Sequence, residues 1–261
     1  MVELKNVTLY FNKGTPDEKH ALNDVSLKIN DGDFITVIGS NGAGKTTLMN
    51  AISGTYMSDK GSIYIDGTDV TVMPEYKRAG FIGRLFQNPT LGTAPDMTIE
   101  ENLALAIRDG RKYSFITKAD RLKFKAILSR LNMGLENRLT AKVGLLSGGQ
   151  RQALSLLMAT ASNPKILLLD EHTAALDPST SKTVLALTDE IIGENKLTCL
   201  MITHNMQDAL NHGNRTIMMI DGRIVYDVSG DERKNLTVKD LLEKFRQVSG
   251  DALANDRMLL S

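Results

Sequence analysis

The sequence has a single cysteine, Cys199, which excludes an intrachain disulfide and fits a reducing compartment. That cysteine stands in the apolar run Leu197-Thr198-Cys199-Leu200-Met201-Ile202 and reads as a buried strand residue rather than a reactive thiol. Neither sign of charge is in excess: 31 Lys and Arg balance 31 Asp and Glu. A nucleic-acid partner is therefore not expected, since phosphate-backbone binding calls for a basic surplus. Weak self-repulsion leaves the chain suited to association. No uncharged apolar run reaches the roughly 20 residues needed to cross a bilayer. The opening segment has no basic stretch followed by an apolar core, so no signal peptide is expected. Internal repeats and low-complexity segments are also lacking. A role at a membrane would have to run through other chains.

What is present is a long α/β pattern. At 261 residues the chain is large for one domain but suits an α/β fold with a subdomain. Strands are expected at Val2–Tyr10, Val25–Ile29, Phe34–Ile38 and Ser62–Ile65, with a loop over Asn12–Lys19 and turns at Asp31-Gly32 and Asp66-Gly67. The stretch from 91 to 162 reads as mostly helical. Thr98-Ile99-Glu100-Glu101 forms a capping box that opens a helix through about Arg108, and Ala119–Leu131 carries a second. Alternation returns after Pro164: strands at Ile166–Leu169, Leu197–Ile202 and Thr216–Ile220, then the Asp221-Gly222 turn and Arg223–Tyr226. Asp177-Pro178 is a helix start, with Asp as N-cap and Pro at the first helical position. A helix over Thr237–Val248 and a tail over Ser249–Ser261 close the chain.

Two motifs carry chemistry on their own. Residues 39–46 read Gly-Ser-Asn-Gly-Ala-Gly-Lys-Thr, the phosphate-binding P-loop pattern. Its glycines allow backbone N–H groups to wrap a phosphate chain, and the following helix offers its positive N-terminus to the same anion. Lys45 supplies a point charge to the β- and γ-phosphates, and the Thr46 hydroxyl is a ligand for Mg²⁺. The apolar strand before the loop and the helix after it are the context that this mechanism demands. The second motif, Ile166-Leu167-Leu168-Leu169-Asp170-Glu171, is a buried strand that delivers carboxylates at its C-terminal end, where open α/β sheets bind ligands. Asp170 suits Mg²⁺ and Glu171 suits activation of an attacking water.

A third motif, Leu146-Ser147-Gly148-Gly149-Gln150, lies after the P-loop and before the Asp-Glu strand. In that order the three resemble the ABC ATPases. The resemblance covers about residues 2 to 228. It implies an α/β P-loop NTPase core, with a mixed sheet and an N-terminal antiparallel β subdomain, and an inserted helical subdomain. The expected division is 1–90 and 163–230 for the core, 91–162 for the helical subdomain, and 231–261 for the C-terminal helix and tail. ATP and Mg²⁺ are the implied cofactors. The expected ATP-binding set is Phe11 with Gly39, Ser40, Asn41, Gly42, Ala43, Gly44, Lys45, Thr46 and Thr47. Ser147, Gly148, Gly149 and Gln150 would bind the ATP of a second, head-to-tail copy, and Asp177 would lie at that dimer interface. The resemblance also marks Gln87 as the Q-loop glutamine near the metal and the lytic water, and His204 as the switch histidine at the γ-phosphate. Thr46, Gln87 and Asp170 are then the metal ligands, and Glu171, His204, Lys45 and Gln87 the catalytic set. Either Tyr10 or Phe11 is the aromatic that stacks on adenine, and spacing favours Phe11.

Each of the weaker residues has a plain alternative: a loop glutamine, a histidine at a strand end, a core aromatic. Their order around three stronger motifs decides for function. His172 departs from the family, which usually has proline there, and reads as a tolerated loop substitution. His20 and His212 fall outside all motifs and read as surface residues. The expected function is ATP hydrolysis that powers a small solute through separate permease subunits, most naturally bacterial import with a substrate-binding lipoprotein. The protein would work on the cytoplasmic face of the membrane. Segments 92–103 and 170–177 resemble ATPases of an import group labelled tryptophan/tyrosine transport. DNA-repair ABC proteins fit poorly: only about 59 residues separate Gln87 from Leu146, without heptads for their long coiled coil. A regulatory ABC ATPase, an ABC exporter and a nucleotide binder that does not hydrolyse remain as alternatives.

Overall fold

The computed structural model describes residues 1–107 and 115–249. The chain forms two compact units, one of residues 1–82 with 196–261 and the other of residues 83–195.

The first unit opens with β1 (Val2–Phe11) and β2 (Lys19–Ile29), an antiparallel pair. Then come β3 (Phe34–Gly39), α1 (Lys45–Ser53), β4 (Lys60–Ile65), β5 (Thr68–Asp69) and the short α2 (Glu75–Arg78). β2, β1, β4 and β5 form an antiparallel sheet in that order. Strand β2 starts six residues earlier than the sequence pattern suggests. Asn6 and Asp24 take left-handed backbone conformations, and the β1–β2 register shifts between Leu4 and Val7 and again between Val7 and Leu9. These irregularities hide the alternation that marks a strand. Asn6 Nδ2 donates to Asp24 Oδ1 at 2.9 Å and ties them together. The Asp66-Gly67 and Asp221-Gly222 turns have positive φ at both residues, as two-residue hairpins require.

The second unit runs β6 (Ile82–Leu85, starting at the boundary), α3 (Ile99–Ile107), α4 (Lys118–Ser129), α5 (Gly148–Thr160), β7 (Ile166–Asp170) and α6 (Pro178–Asn195). Strand β6 has no counterpart in the sequence reading, because four residues are too few to show a period. The Thr98–Glu101 capping box forms as expected: Thr98 N donates to Glu101 Oε2 at 2.7 Å and Glu101 N to Thr98 Oγ1 at 3.3 Å. Arg108, where that helix was expected to end, lies outside the described residues. The buried Glu100 carboxylate receives Arg121 in a two-pronged ion pair that ties α3 to α4.

The chain then returns to the first unit with β8 (Cys199–Ile202), α7 (Met206–Asn211), β9 (Arg215–Ile220), β10 (Arg223–Ser229), α8 (Gly230–Lys234) and α9 (Val238–Ser249). Here the strand order is β10-β9-β3-β8, with β3 central and parallel to both β8 and β9. All residues of β3 and β8 are buried, which explains their continuous apolar runs. Cys199 is fully buried in β8, as expected. Leu241 and Phe245 of α9 pack on Ile38, Met206 and Met218. The expected tail, apart from Ser249, lies outside the described residues.

Arg78 anchors the helix that follows the P-loop. It is fully buried, and its Nη1 donates to Ala51 O (2.7 Å) and Ile52 O (2.9 Å) at the C-terminal end of α1. Nε donates to Met73 O and Nη2 to Thr71 O. A cation is favourable at a helix C-terminus, where carbonyls lack intrahelical partners. Burial holds the guanidinium below its ordinary pKa, and the charge persists because that value starts so high. Arg78→Met is expected to destabilise the protein by about 3 kcal/mol, the cost of leaving buried carbonyls unsatisfied. A urea midpoint measured by circular dichroism checks this.

Candidate active site

The P-loop runs from the end of β3 into α1 and is braced within its own unit. Gly39 has φ +150°, and a Cβ there would stand 2.2 Å from Met219 O in β9. Gly44 has φ +98°, and a Cβ there would meet Ala21 O of β2 at 2.6 Å. Both positions exclude side chains on conformation and on space. Gly222 N, in the β9–β10 turn, donates to Ala43 O at 3.0 Å. The loop is thus held from two strands remote in sequence. The buried Lys45 Nζ donates to Gly39 O (2.7 Å) and Ser40 O (3.0 Å), which keeps the ammonium across the mouth of its own loop. Thr46 and Thr47 follow in the first turn of α1.

Phe11 ends β1 and is partly exposed. Its ring meets that of Tyr56 nearly at right angles, with centroids 5.3 Å apart. Tyr10 instead meets His20 edge-on at 4.4 Å and lies under the Lys13 ammonium. Both aromatics are partly exposed and each already meets one neighbouring ring. His204 follows the end of β8. Ile202 pairs with Val37, so His204 falls level with the first P-loop glycine by continuation of the register. Asn205 then accepts from Gln207 N and Asp208 N, capping α7 and fixing the chain just past His204.

The second unit holds the remaining residues. Asp170 ends β7, and Glu171 follows with φ +43°, a conformation that costs a non-glycine residue energy and is often found at functional sites. His172 is buried at 2% exposure, and its Nε2 lies 3.2 Å from Thr188 Oγ1 on α6. The Thr188 hydroxyl donates to Val184 O, so His172 Nε2 is the donor in their bond. This loop histidine is therefore a packed link between the strand end and α6. Gln87 is exposed just past β6. After it, the Asn102 side chain clamps Ala94 N and Ala94 O.

Residues 95–100 zip against residues 139–144 through backbone bonds and lead the chain into the signature. There Ser147 caps α5 in a reciprocal box with Gln150: Gln150 N donates to Ser147 Oγ and Ser147 N to Gln150 Oε1, both at 3.2 Å. The serine oxygen accepts within the box, which leaves its proton to donate to an anion. Gln150 Nε2 also donates to Met133 O. Asp177 caps α6 as expected, accepting from Ser179 N and Thr180 N. The Thr180 hydroxyl and N–H hold its carboxyl below the usual range.

Gly149 has a reason that the motif alone does not show. A Cβ there would stand 2.1 Å from Thr180 Cγ2, so α5 packs directly on the start of α6. Gly149→Ala is expected to lower ATP hydrolysis at least about tenfold by displacing the signature, on the scale of overpacking. Adding Thr180→Ser, which removes only the methyl, restores most of it. Paired steady-state assays of the single and double variants decide the point. Tyr56, Ala21, Gly222 and Thr180 were not marked by the sequence reading. Only the glycine-rich turn Asp221-Gly222 carried any local signal.

The fold and the loop define an α/β P-loop NTPase core with an N-terminal antiparallel β subdomain and an inserted helical subdomain. A family model described as ABC transporter matches residues 22–174. The tyrosine transport ATP-binding protein of Clostridioides difficile (strain R20291) is 46% identical over 248 residues, covering 94% of this chain and 98% of its own. The thiamine import ATP-binding protein ThiQ of Escherichia coli (strain K12) is 35% identical over 201 residues, covering 77% and 83%. The dimeric structure of a post-hydrolysis state of the ATP-binding cassette MJ0796 bound to ADP and Pi superposes with a TM-score of 0.75 at 30% identity, covering 88% of this chain and 98% of that one. The chain belongs to the ABC transporter family and is an ATP-binding, ATP-hydrolysing subunit of it.

Proposed function

We propose that this chain powers import of a small solute, with tyrosine or a related aromatic amino acid as the cargo. It would act through separate permease subunits fed by a substrate-binding lipoprotein, on the cytoplasmic face of the membrane. The observation that carries this reading is 46% identity over nearly the whole length of both chains to a tyrosine transport ATP-binding protein. No helix among the described residues is long and apolar enough to span a membrane, which agrees with permeases on other chains.

In this reading two copies pair head to tail. The MJ0796 cassette is dimeric in its post-hydrolysis state, and Ser147 of this chain has a donor proton to offer a phosphate. Residues 39–47 hold the triphosphate of one copy while Ser147, Gly148, Gly149 and Gln150 of the other cover its γ-phosphate, with Asp177 at the interface. Phe11 stacks on the base. Glu171 takes a proton from the attacking water, His204 orients that water, and Lys45 follows the charge onto the leaving phosphates. The Thr46 hydroxyl, the Gln87 amide oxygen and the Asp170 carboxylate are all hard oxygen donors, the set that Mg²⁺ takes beside phosphate. Bound there, Mg²⁺ would neutralise charge developing between the β- and γ-phosphates. Residues 91–162 form the helical subdomain, 1–90 with 163–230 the ATPase core, and 231–261 the C-terminal helix and tail. Loss of the γ-phosphate opens the pair, and that motion is the output to the permease.

Co-expression with candidate permease and lipoprotein subunits, followed by reconstitution in liposomes, tests the reading. ATP-dependent accumulation of labelled tyrosine is the expected result. ATPase activity that no permease stimulates would point instead to a regulatory protein.

A further inference from the structure

We propose that Lys19 is a second phosphate-binding cation of the nucleotide site, in addition to the P-loop lysine. The inference rests on the reading of residues 39–47 as the triphosphate cradle. Lys19 is the first residue of β2, and the β1–β2 register sets it directly opposite Phe11. From there its side chain reaches the P-loop: Nζ lies 3.3 Å from the point where a Cβ on Gly42 would stand. The ammonium therefore rests against the loop backbone at a position that bears no side chain. The base platform and this charge are neighbours on one hairpin, and Lys19 spans the gap between platform and loop.

The neighbouring charges are committed elsewhere. Lys13 is paired with Asp59 at 2.7 Å, and their hydrogen bond raises the lysine pKa. Lys45 donates to Gly39 O and Ser40 O. Glu18, adjacent in sequence, accepts from Gly14 N at 2.7 Å and faces His20 Nε2 at 3.9 Å. Among the described residues Lys19 makes no ion pair. It is an exposed ammonium on a flexible four-carbon stem, held against a loop built to bind a polyanion, so small rotamer changes can bring it to a phosphate oxygen. A contact of this kind adds affinity in proportion to the charge on the ligand and is weakened by salt. Lys19 thus favours ATP over ADP from outside the motif. A side chain at residue 42 would push the ammonium off the loop, which adds a reason for glycine there.

The test is calorimetric titration of the full chain with a non-hydrolysable ATP analogue and with ADP. Lys19→Gln, Lys19→Arg and, as a control on the loop, Lys45→Ala are compared with the unaltered protein. Lys19→Gln should weaken the triphosphate about tenfold, the scale of one charge-assisted hydrogen bond, and ADP less. Lys19→Arg should recover most of the loss, and the deficit should shrink at high salt. If Lys45→Ala loses binding while Lys19→Gln does not, the proposal is overturned and the P-loop reading stands. Equal losses for Gln and Arg would also overturn it, because the effect would then follow the shape of the hairpin and not the charge. If neither Lys45→Ala nor Lys19→Gln changes affinity, the reading of the loop fails and the proposal with it.

Discussion

Glu171→Gln is expected to cut steady-state ATP hydrolysis at least about a hundredfold, the scale on which a positioned general base contributes. The amide keeps the size and most of the hydrogen bonding of the carboxylate but cannot take a proton from water. ATP affinity should stay within a few-fold, because the groups proposed to grip the triphosphate are untouched. The local backbone supports a dedicated role. Glu171 adopts a left-handed conformation directly after β7, and its carbonyl accepts from Ala174 N at 3.0 Å. The packed His172 beside it anchors the turn to α6. Such strain persists only where surrounding contacts over-determine it. With hydrolysis blocked and ATP–Mg²⁺ present, size-exclusion chromatography should show the variant moving from monomer to dimer. A variant as active as the unaltered protein would remove Glu171 from the catalytic set. Lost activity without a dimer would mean that pairing depends on the permease.

Lys45→Ala should have the other large effect: ATP affinity is expected to fall about a hundredfold or more, and hydrolysis with it. In the proposed role the ammonium would make charge-assisted hydrogen bonds to two phosphates, and losing two such bonds corresponds to a few kcal/mol. Lys45→Arg should fail almost as badly, since a planar fork does not reproduce a compact point charge in a loop this close. The alanine variant should stay folded. The glycine conformations, the Gly222–Ala43 bond and the contact with Ala21 do not depend on the lysine side chain. Calorimetry for binding and thermal melting for the fold separate the two effects. Retained affinity in Lys45→Ala would leave the P-loop without its central role.

The contrast between the proposed catalytic residues and those that position them follows how each is encoded. The P-loop, the Asp170-Glu171 strand end and the Ser147–Gln150 motif were legible because their chemistry lies in adjacent residues. Phosphate wrapping, carboxylate delivery and helix capping are local demands on backbone and side chain. The caps at Thr98 and Asp177 were legible for the same reason, since a capping residue bonds N–H groups two or three positions away. The short helices α7 and α8 were not. Five or six residues are too few to show an apolar period, and these turns are held by a single side-chain cap and by tertiary bonds. Arg233 of α8 is one such bond: it is buried and donates to Thr216 Oγ1, Ala209 O and His212 O.

The sequence by itself therefore determined the family, the ATP chemistry and the identity of the groups proposed to perform it. Each of these rests on contiguous motifs whose order along the chain is as informative as their composition. Only the tertiary structure decided what holds those groups and what else reaches them. It set Tyr56 beside Phe11, Gly222 and Ala21 against the P-loop, Thr180 against Gly149, Arg78 at the end of α1, and Lys19 over Gly42. These contacts join residues far apart in the chain and leave no periodicity behind, because strand register and side-chain reach exist only once the sheet has formed.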